Sequence, residues 1–466
     1  MRLIGRRFAS EFFATPVAWS LTASRPGRTV RSYSFLPEGR MSGFDRRRFL
    51  GASLATCGAA WAWPSAVRSE EEKKQAAATA TAAGDIIGPP TLFLTWHQDP
   101  TTSMVVQWIG PDAPSSDTIA YATVDTPLWQ TARPILKPFP NTDLKVYRCE
   151  LTGLKPATEY QFTIGKDARA LRFRTMPQKA TDTFQWVSGG DAGVDVHAVN
   201  TNRIAAKQEP YFALIAGDLA YDNGRSPKTF IKYLENYRST MIDKHGRLIP
   251  MVSCIGNHEV DGGYQGTRER SPQYLSVFDG LFKDTTYGVL DIGDFFSLVL
   301  LDTDHIAPIE GEQTNWLEAT LRERQDRSHL IVANHVPAYP SYRSDQGSKE
   351  KTGTGEMNRK HWCPLFEKYN VDVVLEHHDH TFKRTHPLKN GLVDKHGVLY
   401  LGDGSWGKLR APKTPAERPY LAAVSQSYHM TVHRMEGEQR FHVALDEDGK
   451  LADVCMTSGK RPQRRV

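Results

Sequence analysis

Seven side chains able to hold a metal ion, Asp191, Asp218, Tyr221, Asn257, His335, His378 and His380, stand in five short blocks of this 466-residue chain. Each block follows an apolar run and sits where the chain should turn. Residues 184–188 lead into Gly190-Asp191, 212–216 into Gly217-Asp218 with Tyr221 three residues on, and 251–255 into Gly256-Asn257-His258-Glu259. Residues 329–333 lead into Asn334-His335, and 371–375 into His377-His378-Asp379-His380. Taken singly these fragments are ordinary: a Gly-Asp after a strand is a common turn or helix cap, and a lone tyrosine or histidine is usually a packed or satisfied residue. Repeated after five strands, they read as one site, because loops leaving the carboxyl ends of strands line the ligand crevice of an open α/β sheet. Carboxylate, amide oxygen and imidazole together suit iron, zinc or manganese, and no cysteine belongs to the set. Two such ions about 3.5–4 Å apart can clamp the attacking and leaving oxygens of a phosphoryl displacement, with one carboxylate bridging them. Asp218 is the candidate bridge.

The blocks read Gly190-Asp191-Ala192-Gly193, Gly217-Asp218-Leu219-Ala220-Tyr221, Gly256-Asn257-His258-Glu259, Val332-Ala333-Asn334-His335 and His377-His378-Asp379-His380. In this order they resemble the metallophosphoesterases, specifically the purple acid phosphatase branch. Most metallophosphoesterases carry D-x-H in the first block. Here position 193 is glycine, and the resemblance gives Tyr221 the vacant coordination role. It implies that Asp191, Asp218, Tyr221 and His380 hold a first ion, ferric iron matched to a tyrosinate. Asp218, Asn257, His335 and His378 would hold a second, which is iron, zinc or manganese. A hydroxide on or between the ions would attack phosphorus, since coordination lowers the pKa of water from about 15.7 to roughly 7. His258 would orient the substrate and help protonate the leaving oxygen, a role suited to an imidazole with an ordinary pKa of about 6.5. Asp218 and His258 are therefore the candidate catalytic residues. His377 replaces the family's usual glycine and is expected to crowd a turn where glycine tolerates positive φ.

Other matches carry less chemistry. His335-Val336-Pro337-Ala338-Tyr339 resembles the family's H-x-P-x-Y, but the extra substrate-facing histidines of plant-type members are replaced by Ser341-Tyr342-Arg343-Ser344-Asp345. Arg343 is a candidate phosphate-oxygen ligand, with a solvated loop arginine as the alternative. Arg384 reads as structural. Gly402-Asp403-Gly404 is a family landmark to which the sequence assigns no chemistry.

The elements that must position these residues form two domains. From about 180 to 450, apolar strands alternate with helical patterns at 226–240 and 313–324, which argues α/β. The resemblance makes this a metallophosphoesterase double β-sheet sandwich flanked by helices. Runs at 430–435 and 441–445 should complete a sheet edge, and 451–466 reads as a C-terminal tail, frayed from Lys460. Between 90 and 177, short alternating strands at 92–96, 104–108, 146–151, 160–164 and 171–175 signal a small all-β sandwich. Its Leu154-Lys155-Pro156-Ala157-Thr158-Glu159-Tyr160 resembles the tyrosine corner of fibronectin type III domains. Such a domain precedes the catalytic domain in plant-type purple acid phosphatases, whose frequent dimers make a homodimer a candidate assembly.

Residues 1–66 read as a leader. Asp45-Arg46-Arg47-Arg48-Phe49-Leu50 before the apolar stretch 51–62 resembles a twin-arginine export signal, with Met41 a candidate true start, and implies a periplasmic or secreted protein. The stretch is too short to span a bilayer. A lipobox at Leu54-Ala55-Thr56-Cys57 is disfavoured by the threonine before the cysteine. Residues 67–89 form a charged, alanine- and threonine-rich linker expected to be disordered. The formal charge of +5 is misleading, because residues 1–62 hold ten arginines against three acidic residues, a net +7 that leaves about −2 for the rest. Bulk charge therefore gives no support for a nucleic-acid partner. The four cysteines beyond Cys57 show no C-x-x-C spacing, which argues against a zinc ribbon or redox motif. The sequence reads best as an exported dinuclear-metal phosphatase acting on small phosphomonoesters. A phosphodiesterase on the same metals is the near alternative, and an inert surface-binding protein the distant one.

Overall fold

The computed structural model describes residues 88–113, 118–126, 128–165, 170–180, 184–345 and 354–459. The leader, most of the linker and the basic end from Lys460 lie outside the described residues.

The first described domain packs two four-stranded antiparallel sheets. One is ordered Phe93–Thr95, Met104–Gly110, Lys145–Leu151, Ile135–Pro138; the other Gln130–Ala132, Ile119–Thr123, Glu159–Ile164, Leu171–Arg174. The five runs read from sequence are strands here. Ile119–Thr123, Gln130–Ala132 and Ile135–Pro138 went unread because the last two are short and largely exposed, with little apolar alternation. Leu94, Val106, Phe162 and Phe173 are all buried, whereas Phe93, the cross-strand partner of Gln107, packs on Phe278 of the second domain. The tyrosine corner is formed: Tyr160 Oη accepts the Lys155 N–H at 2.9 Å, and its ring stacks on Phe173 at 5.4 Å.

The second domain is a pair of mixed sheets. Six strands run in the order Met251–Val252, Ala213–Ile215, Phe184–Gly189, His429–Glu436, Gln439–Asp446, Leu451–Ser458. Seven run Gly288–Ile292, Phe296–Leu301, His329–Asn334, Val373–Glu376, Leu399–Asp403, Phe382–Thr385, Leu421–Ser425. The first three strands of the six-stranded sheet pair in parallel, as do Phe296–Leu301, His329–Asn334, Val373–Glu376 and Leu399–Asp403 in the middle of the seven-stranded one, and Phe296–Leu301 and His329–Asn334 are buried along their whole length. Strands covered on both faces need continuous rather than alternating apolar runs, and their sequences supply them. The predicted helices are Pro227–Thr240 and Glu312–Arg324. The first starts at the Ser226 cap with Pro227 in its first turn and buries Phe230, Tyr233, Leu234 and Tyr237, the i, i+3, i+4, i+7 stripe of a core-facing helix.

The reading of 451–466 as tail is corrected in part: Leu451–Ser458 is an edge strand paired antiparallel with Gln439–Asp446. Its Leu451, Val454 and Met456 are roughly half exposed, so the strand has no buried face to announce it. The two domains share a built interface. Gln107 Nε2 donates to the Val277 carbonyl at 2.9 Å, Trp96 meets Phe212 edge-on, and Arg172 N–H donates to the Gly246 carbonyl while its own carbonyl accepts from Leu248.

Candidate metal centre

All five blocks converge at the carboxyl ends of the parallel strands. Asp191 and Asp218 lie just past Phe184–Gly189 and Ala213–Ile215, Asn257 in a single 3-10 turn beyond Met251–Val252, His335 directly after His329–Asn334, and His378 and His380 after Val373–Glu376. The backbone there is unusual. Asp191, Asp218, Tyr221, His378 and His380 all adopt left-handed φ, between +54° and +70°, a conformation that non-glycine residues hold only when their surroundings impose it. Glu259 fixes it at Asp218, its buried carboxylate accepting from Asp218 N and Leu219 N at 2.7 Å and Gly256 N at 2.8 Å. Close approach does the rest. A Cβ on Gly217 would lie 2.5 Å from His335 Nδ1, and one on Gly404 would lie 2.7 Å from Asp191 Oδ2, which gives the unexplained 402–404 landmark a physical role. The crowding expected at His377 does not arise. The left-handed residues are its neighbours His378 and His380, and His377 turns its ring toward Gly190, with Nδ1 3.0 Å from the Asn334 carbonyl.

The donors separate into two groups. In one, Asp191 Oδ1, Tyr221 Oη and His380 Nε2 form a triangle with edges of 3.2, 3.0 and 3.1 Å. In the other, His335 Nε2 lies 3.2 Å from both Asn257 Oδ1 and His378 Nδ1. Asp218 belongs to both: its Oδ2 is 3.3 Å from His335 Nε2, and one donor atom each of Asp191, Asp218, His335 and His378 falls within 4.8 Å of the others. Bonds of about 2.0–2.2 Å to one ion place neighbouring ligands about 3 Å apart, so these spacings fit a pair of cations. Asp218 Oδ2 is buried and makes no hydrogen bond, an unsatisfied acceptor that a cation would satisfy.

Electrostatics agree. Burial opposes ionisation of Asp218, but the His335, His258 and His378 rings hold its carboxyl well below the usual range. Burial would likewise neutralise His335, yet the Asp218 and Asp191 carboxylates push it up to about 9. Burial and the same two carboxylates push the Tyr221 phenol well above its ordinary value. Without cations, protons are the counter-ions here, and a metal must displace them.

Residues 89–187 match the purple acid phosphatase N-terminal domain family, and 185–382 match the calcineurin-like phosphoesterase family. Purple acid phosphatase 21 of Arabidopsis thaliana is 24% identical over 66% of this chain and 70% of its own length, and human acid phosphatase type 7 is 26% identical over 66% and 76%. The structure of purple acid phosphatase PPD1 from yellow lupin seeds superposes with a TM-score of 0.64 at 18% identity, covering 79% of this chain and 74% of that one. The chain is a purple acid phosphatase-type metallophosphoesterase. It is thereby a hydrolase, and its sequence-read donors are the residues that the fold brings together.

Two further residues of this metallophosphoesterase fall differently. His258 stands at the rim, one-third exposed, with its N–H on Asp218 Oδ1 at 2.8 Å, its Nδ1 bonded to Asn223 Oδ1 and its Nε2 3.9 Å from Asp218 Oδ2. Arg343 is committed to protein: its Nη1 donates to the His378 carbonyl and, at 3.1 Å, to Asp379. It braces the last ligand block. Arg384 pairs with Asp453 at 2.6 Å, a structural contact. Sequence reading missed Asn223, Tyr264, whose hydroxyl is 3.3 Å from His378 Nε2, and Lys408, 4.9 Å from the Tyr221 ring centre. Only Asn223 carried a signal, standing two residues after a ligand.

Proposed function

We propose that this metallophosphoesterase is an exported acid phosphatase that hydrolyses small phosphomonoesters. The observation that carries the reading is the two donor groups sharing Asp218, with His258 at their rim. Asp191, Asp218, Tyr221 and His380 would hold one ion, ferric iron by the tyrosine's preference, and Asp218, Asn257, His335 and His378 the other, iron, zinc or manganese. When bound, such a pair supplies an activated water and neutralises charge on the phosphoryl group. The chain's own residues do the rest. Asn223 Oδ1 at His258 Nδ1 orients the ring and leaves Nε2 toward the cup, where it would pass a proton to the leaving oxygen. Arg343, through the His378 carbonyl, keeps the final ligand pair in place. Export rests on the Arg46-Arg47-Arg48 leader, and among the described residues no helix is long and apolar enough to cross a membrane.

The test is elemental analysis with a visible spectrum, followed by turnover of a phosphomonoester against a bis-ester. Two metals per chain, a charge-transfer band abolished by Tyr221→Phe, and faster monoester cleavage are expected. Two metals without the band would remove iron from the tyrosine side. Faster bis-ester cleavage would make the enzyme a diesterase.

A further inference from the structure

Beside the metal cup, the Lys408 side chain hydrogen-bonds to a carboxylate, Asp195. Gly193, at the position where most metallophosphoesterases carry a histidine, leaves a hollow beside the Tyr221 ring, and Lys408 fills it: a Cβ on Gly193 would lie 2.9 Å from Lys408 Cε and 3.0 Å from Nζ. The Lys408 ammonium stands 4.9 Å from the Tyr221 ring centre, and the His258 ring is 4.3 Å from that same ring. Tyr221 is thus flanked by an ammonium and by the imidazole proposed to protonate the leaving group. One carboxylate holds the ammonium, Asp195 Oδ2 at 2.9 Å, in a pair whose side chains are 32% and 40% exposed. Asp195 also caps the helix Val196–Lys207, which anchors the lysine's partner. The neighbouring cations are otherwise engaged. Arg343 is turned onto the His378 carbonyl and Asp379, and Arg410 lies over the Tyr342 ring at 5.0 Å.

We propose that Lys408 is a substrate-binding residue that selects doubly charged phosphate groups, its ammonium in the Gly193 hollow donating to a terminal phosphoryl oxygen beside Tyr221. A half-exposed carboxylate is a weak competitor for that ammonium, whereas a phosphomonoester dianion offers terminal oxygens and twice the charge of a diester. The inference rests on the phosphatase reading and makes it specific, because Lys408 should separate dianionic monoesters from monoanionic bis-esters.

The experiment compares wild type, Lys408→Met and Lys408→Arg as metal-replete full-length proteins. Its readouts are metal content, binding of inorganic phosphate by calorimetry, and KM and kcat for a monoester and a bis-ester. For Lys408→Met we expect unchanged metal content, phosphate binding and monoester KM weakened roughly tenfold, as for loss of one charge-assisted hydrogen bond, and bis-ester KM within about twofold. Lys408→Arg should restore phosphate binding. Equal losses on both substrates, or none on phosphate, would overturn the inference and leave Lys408 as packing on Tyr221. Loss of metal in Lys408→Met would overturn it too, showing that the lysine supports the ligand. A wild type that binds phosphate but cleaves no monoester would sink the phosphatase reading alone, since calorimetry still reads Lys408.

Discussion

Tyr160 stands at the start of one strand and Tyr221 in the loop beyond another, and they use their hydroxyls in opposite ways. In the amino-terminal sandwich, Tyr160 accepts one backbone N–H, stacks on one phenylalanine and leaves the corner satisfied. In the metal cup, Tyr221 sits at φ +59° with its hydroxyl against Asp191 Oδ1 and His380 Nε2, beside an Asp218 oxygen with no hydrogen bond at all. A region that serves stability pairs its polar groups within itself. A region built for cations crowds its donors together in strained backbone and leaves the balance to the ion. Residue type does not separate the two cases; the surplus of acceptors does.

Removing the shared carboxylate tests that contrast most severely. Asp218→Asn should lose metal and reduce phosphoester turnover by at least roughly 10³-fold, since several kcal/mol of charge stabilisation go with it. Elemental analysis and kinetics, with circular dichroism to verify folding, check this. A variant with full metal content and turnover would show that the cup does not depend on a bridge. His258→Gln stands next: the metals should stay and kcat fall by about 10²–10⁴-fold, the range for a lost proton donor. Metal loss in that variant would move His258 from chemistry to support.

Tyr160→Phe probes the other side. It leaves the Lys155 N–H without its acceptor, which should cost about 1–3 kcal/mol and lower the melting temperature while kcat and metal content hold. A change in kcat at unchanged metal content would mean that the sandwich acts on the cup, and the contrast would fail.

The contrast also explains what was legible in the sequence. The donors could be read because each follows a strand whose apolar run is itself conspicuous, and because order along the chain supplies what geometry later shows. The helix from Pro227 was legible for the same reason, as a stripe of apolar residues after a serine cap. What could not be read depends on close approach across the fold. That His377 would avoid the strained position, that Gly404 exists to admit Asp191, and that Arg343 would turn back onto its own ligand block are facts of packing between segments far apart in sequence. Lys408 reaches the cup from a loop with no chemical motif. The edge strand Leu451–Ser458 failed for lack of a buried face.

The junction between the two regions should show its effect only in acid. His97 packs its ring against Gly280 of the catalytic domain, where a Cβ would collide with it. Burial, with Arg148 adding repulsion against a partial offset from Asp279, lowers its pKa to about 4. In the unfolded chain an unperturbed imidazole titrates near 6.5. Between these values the unfolded chain binds a proton that the folded one refuses, so His97 leaves stability intact above pH 6.5, erodes it as the pH falls toward 4, and adds no further loss below that. Denaturant midpoints at pH 7, 5.5 and 4 should therefore fall more steeply for wild type than for His97→Gln. Parallel slopes would mean that the junction admits the charged ring and is looser than the rest of the sandwich.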